Sequence, residues 1–317
     1  MSELLLEVKR GGVVESRHYG SYVVIDRGKV VRSRGDIDRV TFMRSSAKPI
    51  QCYSVVESGA ADRFGLDERE IAVIVGSHSG EPIHIKTVSS ILRKGGLKES
   101  DLLCGKHKPL SEKVVVRKLT QLHNNCSGKH SGMLLLAKML GVSIKKYTDK
   151  NHPVQKRNIK NMARFANIKA SSIKIGIDGC SAPTFGLSVK NMGFAFANFC
   201  SAMDSSATRI ANALKRYPEM IAANGRICTE LIRATNGRLL TKIGAEGVYC
   251  CGVVNKGIGI AMKIDDGSSR PIAPVLITLL SDMGFITKEE RRRLAPLEDN
   301  VLRNHAGLEV GRTIVRI

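Results

Sequence analysis

The hydrophobic positions follow a strand-like pattern at both ends of the chain and a helical pattern through its middle. Short runs of apolar residues, bounded by turn-forming residues, predict strands over Leu4–Val8, Tyr22–Ile25, Lys29–Val31, Ile173–Ile177, Leu239–Ile243, Val248–Val254, Ile258–Ile264 and Thr313–Ile317. Apolar residues at helical spacing predict helices over Ile50–Val56, Val88–Leu92, Val114–Leu122, Met133–Leu140, Val154–Phe165, Val189–Met203, Ser206–Tyr217, Pro218–Thr235 (interrupted near Asn224-Gly225) and Pro274–Met283. The run Ile71–Val75 fits either a strand or a buried helix.

These elements predict a mixed α/β (α+β) fold. A central, mostly antiparallel sheet built from the N- and C-terminal strands, flanked by helices, would bury the apolar faces of both kinds of element. No internal repeat, low-complexity stretch or long linker interrupts the chain of 317 residues. We therefore expect one domain over residues 1–317, with a helical middle region at about 80–235 packed on the sheet.

The chain is strongly basic. Lys and Arg number 50 against 29 Asp and Glu, which gives a net charge of +21 and suggests nucleic-acid binding. However, the basic residues are scattered, Trp is absent, and aromatic residues are only 4% of the chain, so stacking platforms for bases are scarce. No helix-turn-helix, zinc-finger or RNA-recognition signature occurs. This argues against nucleic-acid binding as the main function.

No apolar run reaches membrane-spanning length, and the first residues do not have the pattern of a signal peptide. We therefore expect a cytoplasmic protein that does not associate with membranes. The chain has eight cysteines, which in an intracellular protein are expected to be thiols, buried small residues or metal ligands rather than a disulfide framework.

The segment Arg44–Pro49 contains a Ser-x-x-Lys motif, formed by Ser45 and Lys48. The i, i+3 spacing places both side chains on one face of a helical turn, and Pro49 is tolerated in a first turn. A buried lysine has a lowered pKa and can remove the proton of a serine hydroxyl. The alternative for the motif alone is a helix N-cap followed by a solvated lysine.

Two further segments could complete such a site. Gly76–Pro82 is a turn of small polar residues after a buried element, and it contains Ser77. Lys242 is followed by Ile243 and Gly244 at the end of a predicted strand, which resembles the Lys-Thr-Gly strand of penicillin-recognising serine enzymes. A surface lysine before a turn is the alternative for that triplet.

A candidate metal site comes from the cysteines that lie in glycine-flanked turns. Cys126 and Cys180 are in such turns, Lys129 follows Cys126 at i+3, and His130 is adjacent. Thiolates and imidazoles are usual zinc ligands, whereas a lysine amine must first lose a proton. Spacing alone also allows ordinary buried thiols.

Together these segments carry a resemblance that covers nearly the whole chain. The chain resembles the asparaginase II family, the serine- and zinc-containing L-asparaginases, in Arg44–Gln51, Ser77–Pro82, Asn124–Met133, His152–Gln155, Asp178–Thr184 and Lys242–Gly247. The resemblance implies a fold similar to serine β-lactamases and serine glutaminases, and a homodimer. It also implies a catalytic set of two Ser–Lys pairs, Ser45 with Lys48 and Ser77 with Lys242.

The resemblance further implies a zinc ion and a substrate pocket. The zinc ligands would be Cys126, Lys129 and Cys180, supported by His130, Asp178 and Cys228. The residues expected to bind the substrate are Arg44, His78, Gly80, Glu81, Asn125, Ala245 and Glu246. The expected reaction is hydrolysis of L-asparagine to L-aspartate and ammonia through an acyl-enzyme on Ser45. A serine-dependent glutaminase or another amidohydrolase of the same fold is the main alternative.

Overall fold

The larger of two sheets is antiparallel and joins the two ends of the chain. The computed structural model describes residues 1–201, 204–298 and 300–317. Within them, an eight-stranded sheet has the order β10-β11-β1-β2-β9-β8-β7, with β3 paired to β2. Its strands are β1 (Glu3–Arg10), β2 (Val13–Asp26), β3 (Lys29–Arg34), β7 (Leu239–Ile243), β8 (Val248–Val253), β9 (Ile258–Ile264), β10 (Val301–Arg303) and β11 (Glu309–Val315).

Helices cover this sheet. They are α1 (Lys48–Glu57), α2 (Ala60–Arg63), α3 (Glu68–Val75), α4 (Pro82–Lys94), α5 (Ser127–Met139), α6 (Pro153–Ala166), α7 (Val189–Ser201), α8 (Ser205–Arg216), α9 (Ile227–Ala234), α10 (Ile272–Asp282) and α11 (Lys288–Glu298). Helix α7 packs on β2 and β9 at very short range, since a Cβ on Gly259 would lie 2.2 Å from the Gly193 carbonyl oxygen. The predicted α+β fold, with a central antiparallel sheet flanked by helices, is confirmed.

A second, three-stranded sheet was not predicted. It has the order β4-β6-β5, formed by Val40–Phe42, Pro183–Ser188 and Lys174–Ile177. Every residue of β6 is buried, but Pro183 and Gly186 interrupt the sequence signal of a strand. The Met43 N–H donates to the Phe185 carbonyl, so this small sheet holds the start of the segment that carries Ser45.

The run Ile71–Val75 is helical. Asp67 and Glu70 form a reciprocal capping box at the start of α3, which gives this short helix a strong N-terminus. All residues from Glu70 to Val75 are buried, so no polar face distinguishes helix from strand in the sequence. The Gly76–Pro82 turn follows directly after α3.

The predicted helix over Val114–Leu122 is wrong. The segment is irregular apart from a 3-10 turn at Gln121–His123, and Val115 is 93% exposed. Three consecutive β-branched valines favour extended backbone and give a helix no buried face to stabilise it. The predicted end of α7 at Met203 lies outside the described residues. Among the described helices, none has the length and apolarity needed to cross a membrane.

Candidate active site

Ser45 lies in a tight turn at the head of α1. A 3-10 turn over Arg44–Ala47 leads directly into α1, and Arg44 has a φ of 51°, a left-handed backbone that is unusual for a side chain of its size. Ser45 is partly exposed. Among the described residues, no group hydrogen-bonds its hydroxyl. By contrast, the neighbouring Ser46 is buried and donates to the Met43 carbonyl at 2.7 Å.

Lys48 is only 1% exposed and points towards the Gly76–Pro82 turn. Its Nζ donates to three acceptors: the Gly76 carbonyl at 2.6 Å, the Ser77 hydroxyl at 3.0 Å and the Asn125 carbonyl at 3.2 Å. Burial lowers the pKa of Lys48, and the nearby positive charge of Lys129 lowers it further, against the raising effect of Cys126.

A second lysine also donates a hydrogen bond to Ser77. Lys242 projects from β7 and donates to the Ser77 hydroxyl at 2.9 Å and to the Ile243 carbonyl at 2.8 Å. Burial lowers the pKa of Lys242 to about 7, and the nearby Lys48 acts in the same direction. The predicted Ser77–Lys242 pair is therefore in hydrogen-bond contact, whereas Lys48 bonds to Ser77 and makes no hydrogen bond to Ser45.

The end of β7 lies against the turn that carries Ser45. A Cβ on Gly244 would come within 2.5 Å of the Met43 carbonyl oxygen, so only glycine allows this approach. The N–H groups of Ser45 and Ala245, within two residues of this contact along the chain, make no backbone hydrogen bond in the described part of the protein. Two unpaired N–H groups at one place can stabilise a negatively charged oxygen.

The turn after α3 is held rigidly from several sides. The N–H groups of Ser77 and Ser79 donate to the carbonyls of Ile221 and Ala222. The fully buried His78 accepts from the Gly80 N–H on Nδ1 and contacts the Ser127 hydroxyl through Nε2 at 2.8 Å. Because both ring nitrogens have protein partners, His78 supports the turn from inside rather than facing a substrate.

The irregular segment before α5 covers the outer end of this turn. The Ser111 N–H donates to the Ser79 carbonyl, and a Cβ on Gly80 would lie 2.9 Å from Pro109. A groove of about 410 Å³ runs along this segment, lined in part by Gly80, Pro82 and His123. Glu81, at the start of α4, makes no ion pair within the described residues.

The predicted metal ligands lie together in the interior. Lys129 Nζ donates to Cys180 Sγ at 3.0 Å. A hydrogen bond from the Cys126 thiol, together with the charge of Lys129, lowers the pKa of Cys180 to about 5, so this sulfur is a thiolate at neutral pH. The same contact with Cys180, together with burial, raises the pKa of Cys126 to about 12. Although burial opposes it, the pKa of Lys129 is raised by the two sulfurs.

The donor chemistry of this cluster fits zinc. Without a metal it offers one thiolate, one thiol and one ammonium, so zinc binding would release the protons of Cys126 and Lys129; a carboxylate oxygen of Asp178 lies 3.9 Å from the Cys180 sulfur. Within the described residues, no group of three His, Cys, Asp or Glu side chains could hold a metal ion, so a metal ion in this cluster would need Lys129 as its third ligand. The Nε2 atom of the adjacent His130 is buried without a partner among the described residues, while its Nδ1 contacts the Tyr147 hydroxyl.

Three other predicted residues are already engaged by partners in the protein. Arg44 is already paired, donating to Asp178 at 2.8 Å and lying 3.9 Å from Glu246. Although burial alone would raise it, the pKa of Asp178 is lowered by Lys129 and Arg44. The sulfur of Cys228 accepts from the Ile243 N–H at 3.1 Å, so this residue lies on the β7 side, beside Lys242.

One residue near the site was missed. Arg226, the N-cap of α9, donates from Nη1 to the Ser79 hydroxyl at 3.2 Å. A basic residue at a helix N-terminus is disfavoured by the helix dipole, and this was the available signal in the sequence.

Solved structures with a related arrangement are only distantly similar. A β-lactamase from Mycobacterium bovis is 13% identical, covers 83% of this chain and 94% of its own, and has a TM-score of 0.47. Mglu in its native form is 12% identical over 84% of this chain and 64% of its own, with a TM-score of 0.46. A protein described as a putative β-lactamase from Bacteroides dorei is 9% identical over 83% of this chain and 93% of its own, with a TM-score of 0.43. At these scores the similarity supports no conclusion about chemistry.

The family comparison is more informative. No match was found among curated proteins. The sequence does match the family described as L-asparaginase II over residues 6–315, which includes every side chain placed in the site above. The chain therefore belongs to the L-asparaginase II family.

Proposed function

We propose that this protein hydrolyses L-asparagine to L-aspartate and ammonia through an acyl-enzyme on Ser45. The observation that carries the proposal is the hydroxyl of Ser77, which accepts hydrogen bonds from two buried lysines, one of them Lys48, three residues beyond Ser45. Family membership supports an amidohydrolase. The choice of asparagine, the Ser–Lys chemistry and the zinc are parts of the proposal.

Ser45 is the better nucleophile of the two serines because it is accessible. Its hydroxyl is partly exposed and has no protein partner among the described residues, so a substrate amide carbon can approach it. Ser77 is 4% exposed and its oxygen already accepts from both lysines. Catalytic hydrogen bonds are often formed only when substrate binds, so the absence of a Ser45–Lys48 bond in the free protein is compatible with this role.

Lys48 is the proposed base. Its position one turn beyond Ser45 and its lowered pKa allow a neutral amine to take the proton as the Ser45 oxygen bonds to the carboxamide carbon. Two lysines that share one hydroxyl oppose each other's charge, which favours at least one neutral amine near neutral pH. Ser77 connects Lys48 to Lys242, so the proton can move between them.

The remaining steps use the same groups. The N–H groups of Ser45 and Ala245 stabilise the carboxamide oxygen as it becomes negative, and each such donor is typically worth ~3–4 kcal/mol. The carbon–nitrogen bond then breaks, and the Ser77–Lys242 pair gives a proton to the leaving nitrogen to release ammonia. A neutral lysine removes a proton from water as the water oxygen bonds to the ester carbon; the bond from that carbon to the Ser45 oxygen then breaks, the lysine returns the proton to this oxygen, and L-aspartate is released.

Zinc would be held by Cys126, Lys129 and Cys180. When bound, it supplies a fixed positive charge that can bind and orient a carboxylate or polarise water. Ser45 already supplies a nucleophile, so we assign the metal to binding and orientation rather than to the attack.

Ammonia release from L-asparagine and L-glutamine tests this proposal. The two substrates differ by one methylene, which typically changes discrimination by only ~1–3 kcal/mol, so both are needed. We expect L-asparagine to be preferred and Ser45→Ala to remove nearly all activity. Ser46→Ala is the matched control, because its hydroxyl bonds to the Met43 carbonyl and is buried. The proposal fails if wild type releases no ammonia from either amino acid.

A further inference from the structure

Arg226 has a positive charge without a carboxylate partner. Among the described residues no Asp or Glu lies within ion-pair distance of it, although its side chain is partly buried. One of its N–H groups reaches the Ser79 hydroxyl, and no other hydrogen bond from its side chain to the protein is formed there. A guanidinium has five N–H donors in a planar fork, so most of them are available to a ligand.

The other arginines nearby are already neutralised. Arg44 is paired with Asp178 and lies near Glu246. Arg233, on the same helix as Arg226, pairs with Glu230 at 2.9 Å and also donates to the Asn224 side chain. Arg226 therefore differs from Arg44 and Arg233 in having no carboxylate partner among the described residues.

The position of Arg226 places this charge at the catalytic turn. Ser77 bonds to both lysines, and Ser79, the partner of Arg226, is two residues further along the same rigid turn. The charge of Arg226 is one of the influences, after burial, that lower the pKa of Lys242. An unpaired cation there disfavours the charged form of Lys242 until an anion binds.

Helix stability does not account for this arginine. As the N-cap of α9 it makes no side-chain capping bond, and its charge opposes the positive end of the helix dipole. The side chain instead turns towards Ser79. A partly exposed guanidinium fork with free N–H groups is well suited to a carboxylate, which it can bind through two parallel hydrogen bonds.

We propose that Arg226 binds the α-carboxylate of the amino-acid substrate, and that Ser79 positions its guanidinium for this contact. The inference rests on the proposed function in one respect, that the substrate is a free α-amino acid. Arg226 then selects L-asparagine over simple amides and over derivatives with a blocked carboxylate, while the Ser45 chemistry itself does not require it.

The test compares two substrates in three proteins. L-asparagine carries the α-carboxylate, and its α-methyl ester lacks the charge but keeps the side-chain amide whose ammonia is measured. The proteins are wild type, Arg226→Gln and the matched control Arg233→Gln, which removes the same charge from the same helix. For Arg226→Gln we expect KM for L-asparagine to rise about tenfold or more, as expected for a lost charge-assisted bond, and KM for the ester to change less than about twofold.

Arg226→Lys should restore part of the affinity for L-asparagine, because a lysine keeps the charge but not the fork. An equal loss for both substrates in Arg226→Gln would mean a structural role and would overturn the inference. So would an unchanged KM for L-asparagine, or the same effect in Arg233→Gln.

A binding measurement separates this inference from the proposed function. Calorimetry with L-asparagine and its methyl ester on Ser45→Ala, with and without Arg226→Gln, does not depend on turnover. Carboxylate-dependent binding that requires Arg226 would support the inference even if wild type released no ammonia. Absence of that dependence in an enzyme that does hydrolyse L-asparagine would overturn the inference and leave the proposed function standing.

Discussion

Lys48 and Lys242 donate hydrogen bonds to the same oxygen, that of the Ser77 hydroxyl, from 3.0 and 2.9 Å. They come from α1 and β7, nearly two hundred residues apart in sequence, and both are almost completely buried. Two ammonium groups at this separation repel each other in a poorly solvated site. The protonation state of this pair therefore determines how the proposed activity and the folding stability depend on pH.

The first prediction concerns the pH dependence of activity. Burial lowers the pKa of Lys242 to about 7, so a neutral amine becomes more abundant as the pH rises through that value. We expect kcat/KM for L-asparagine to fall below about pH 7 and to level off above it. A profile that stays flat between about pH 6 and about pH 9, measured by ammonia release, would contradict the role of the lysines.

The second prediction concerns stability. Between about pH 7 and the usual lysine value of 10.5, the unfolded chain binds a proton at Lys242 that the folded protein does not, so folding stability rises with pH across this window. Below about pH 7 both states are protonated and the cost of burying the charge is largest. The substitution Lys242→Met removes the contribution of Lys242 protonation to the unfolding free energy.

Lys242→Met should therefore be more stable than wild type near pH 6, and its advantage should shrink as the pH rises towards 10. Chemical denaturation at several pH values measures the difference in unfolding free energy. Lys215→Met, at an exposed position on α8, is the control and should show no such trend. An advantage that stays constant or grows with pH would refute this interpretation.

The third prediction concerns Gly244. Because a Cβ there would lie 2.5 Å from the Met43 carbonyl oxygen, Gly244→Ala should push β7 away from the Ser45 turn and move the Ala245 N–H. Loss of one such donor typically lowers kcat by about 10²–10³. KM should change much less.

A matched control comes from the same sheet. In Gly252→Ala the new Cβ would lie 2.4 Å from Cys200 Sγ, which disturbs β8 away from the site. That variant should lose stability but keep the kcat of its folded fraction. If both variants lose kcat equally, the Gly244 effect is general strain rather than a displaced N–H group.

The fourth prediction concerns the metal. Protein prepared without chelator should contain about one zinc per chain by elemental analysis, held by two sulfurs and an amine. Cys126→Ala, Cys180→Ala and Lys129→Ala should each lose most of it. Cys52→Ala and Cys200→Ala, which alter buried thiols elsewhere, should retain it. Protein that contains no zinc and takes up none on titration would contradict the assignment.

Short local patterns in the sequence pointed to most of the side chains that the fold brings together at the candidate site. The i, i+3 spacing of Ser45 and Lys48 and the buried apolar run before Ser77 are local features, and the antiparallel strands around Lys242 followed from turn chemistry. The sequence could not show that Lys48 bonds to Ser77 rather than to Ser45. That choice depends on how α1 and α3 pack, which no local pattern records.

Other failures have similar causes. The buried strand β6 begins with proline and contains glycine, so its place between β4 and β5 is visible only once the chain is folded. Cys228 accepts a hydrogen bond from the backbone of β7, a contact that no local pattern indicates, and its support of the metal ligands stays a prediction. Arg226 was missed because its proposed role depends on the absence of a carboxylate near it in the described part of the structure, which a sequence does not reveal.

Mapping a trapped acyl-enzyme tests the central claim, the identity of the nucleophile, most directly. Wild type should be reacted with a slow substrate or an electrophilic asparagine analogue, and the modified residue located by peptide mass spectrometry. We expect an adduct on Ser45, its loss in Ser45→Ala, and folding almost intact in that variant. An adduct on Ser77, or Ser45→Ala with activity within about tenfold of wild type, would contradict the account.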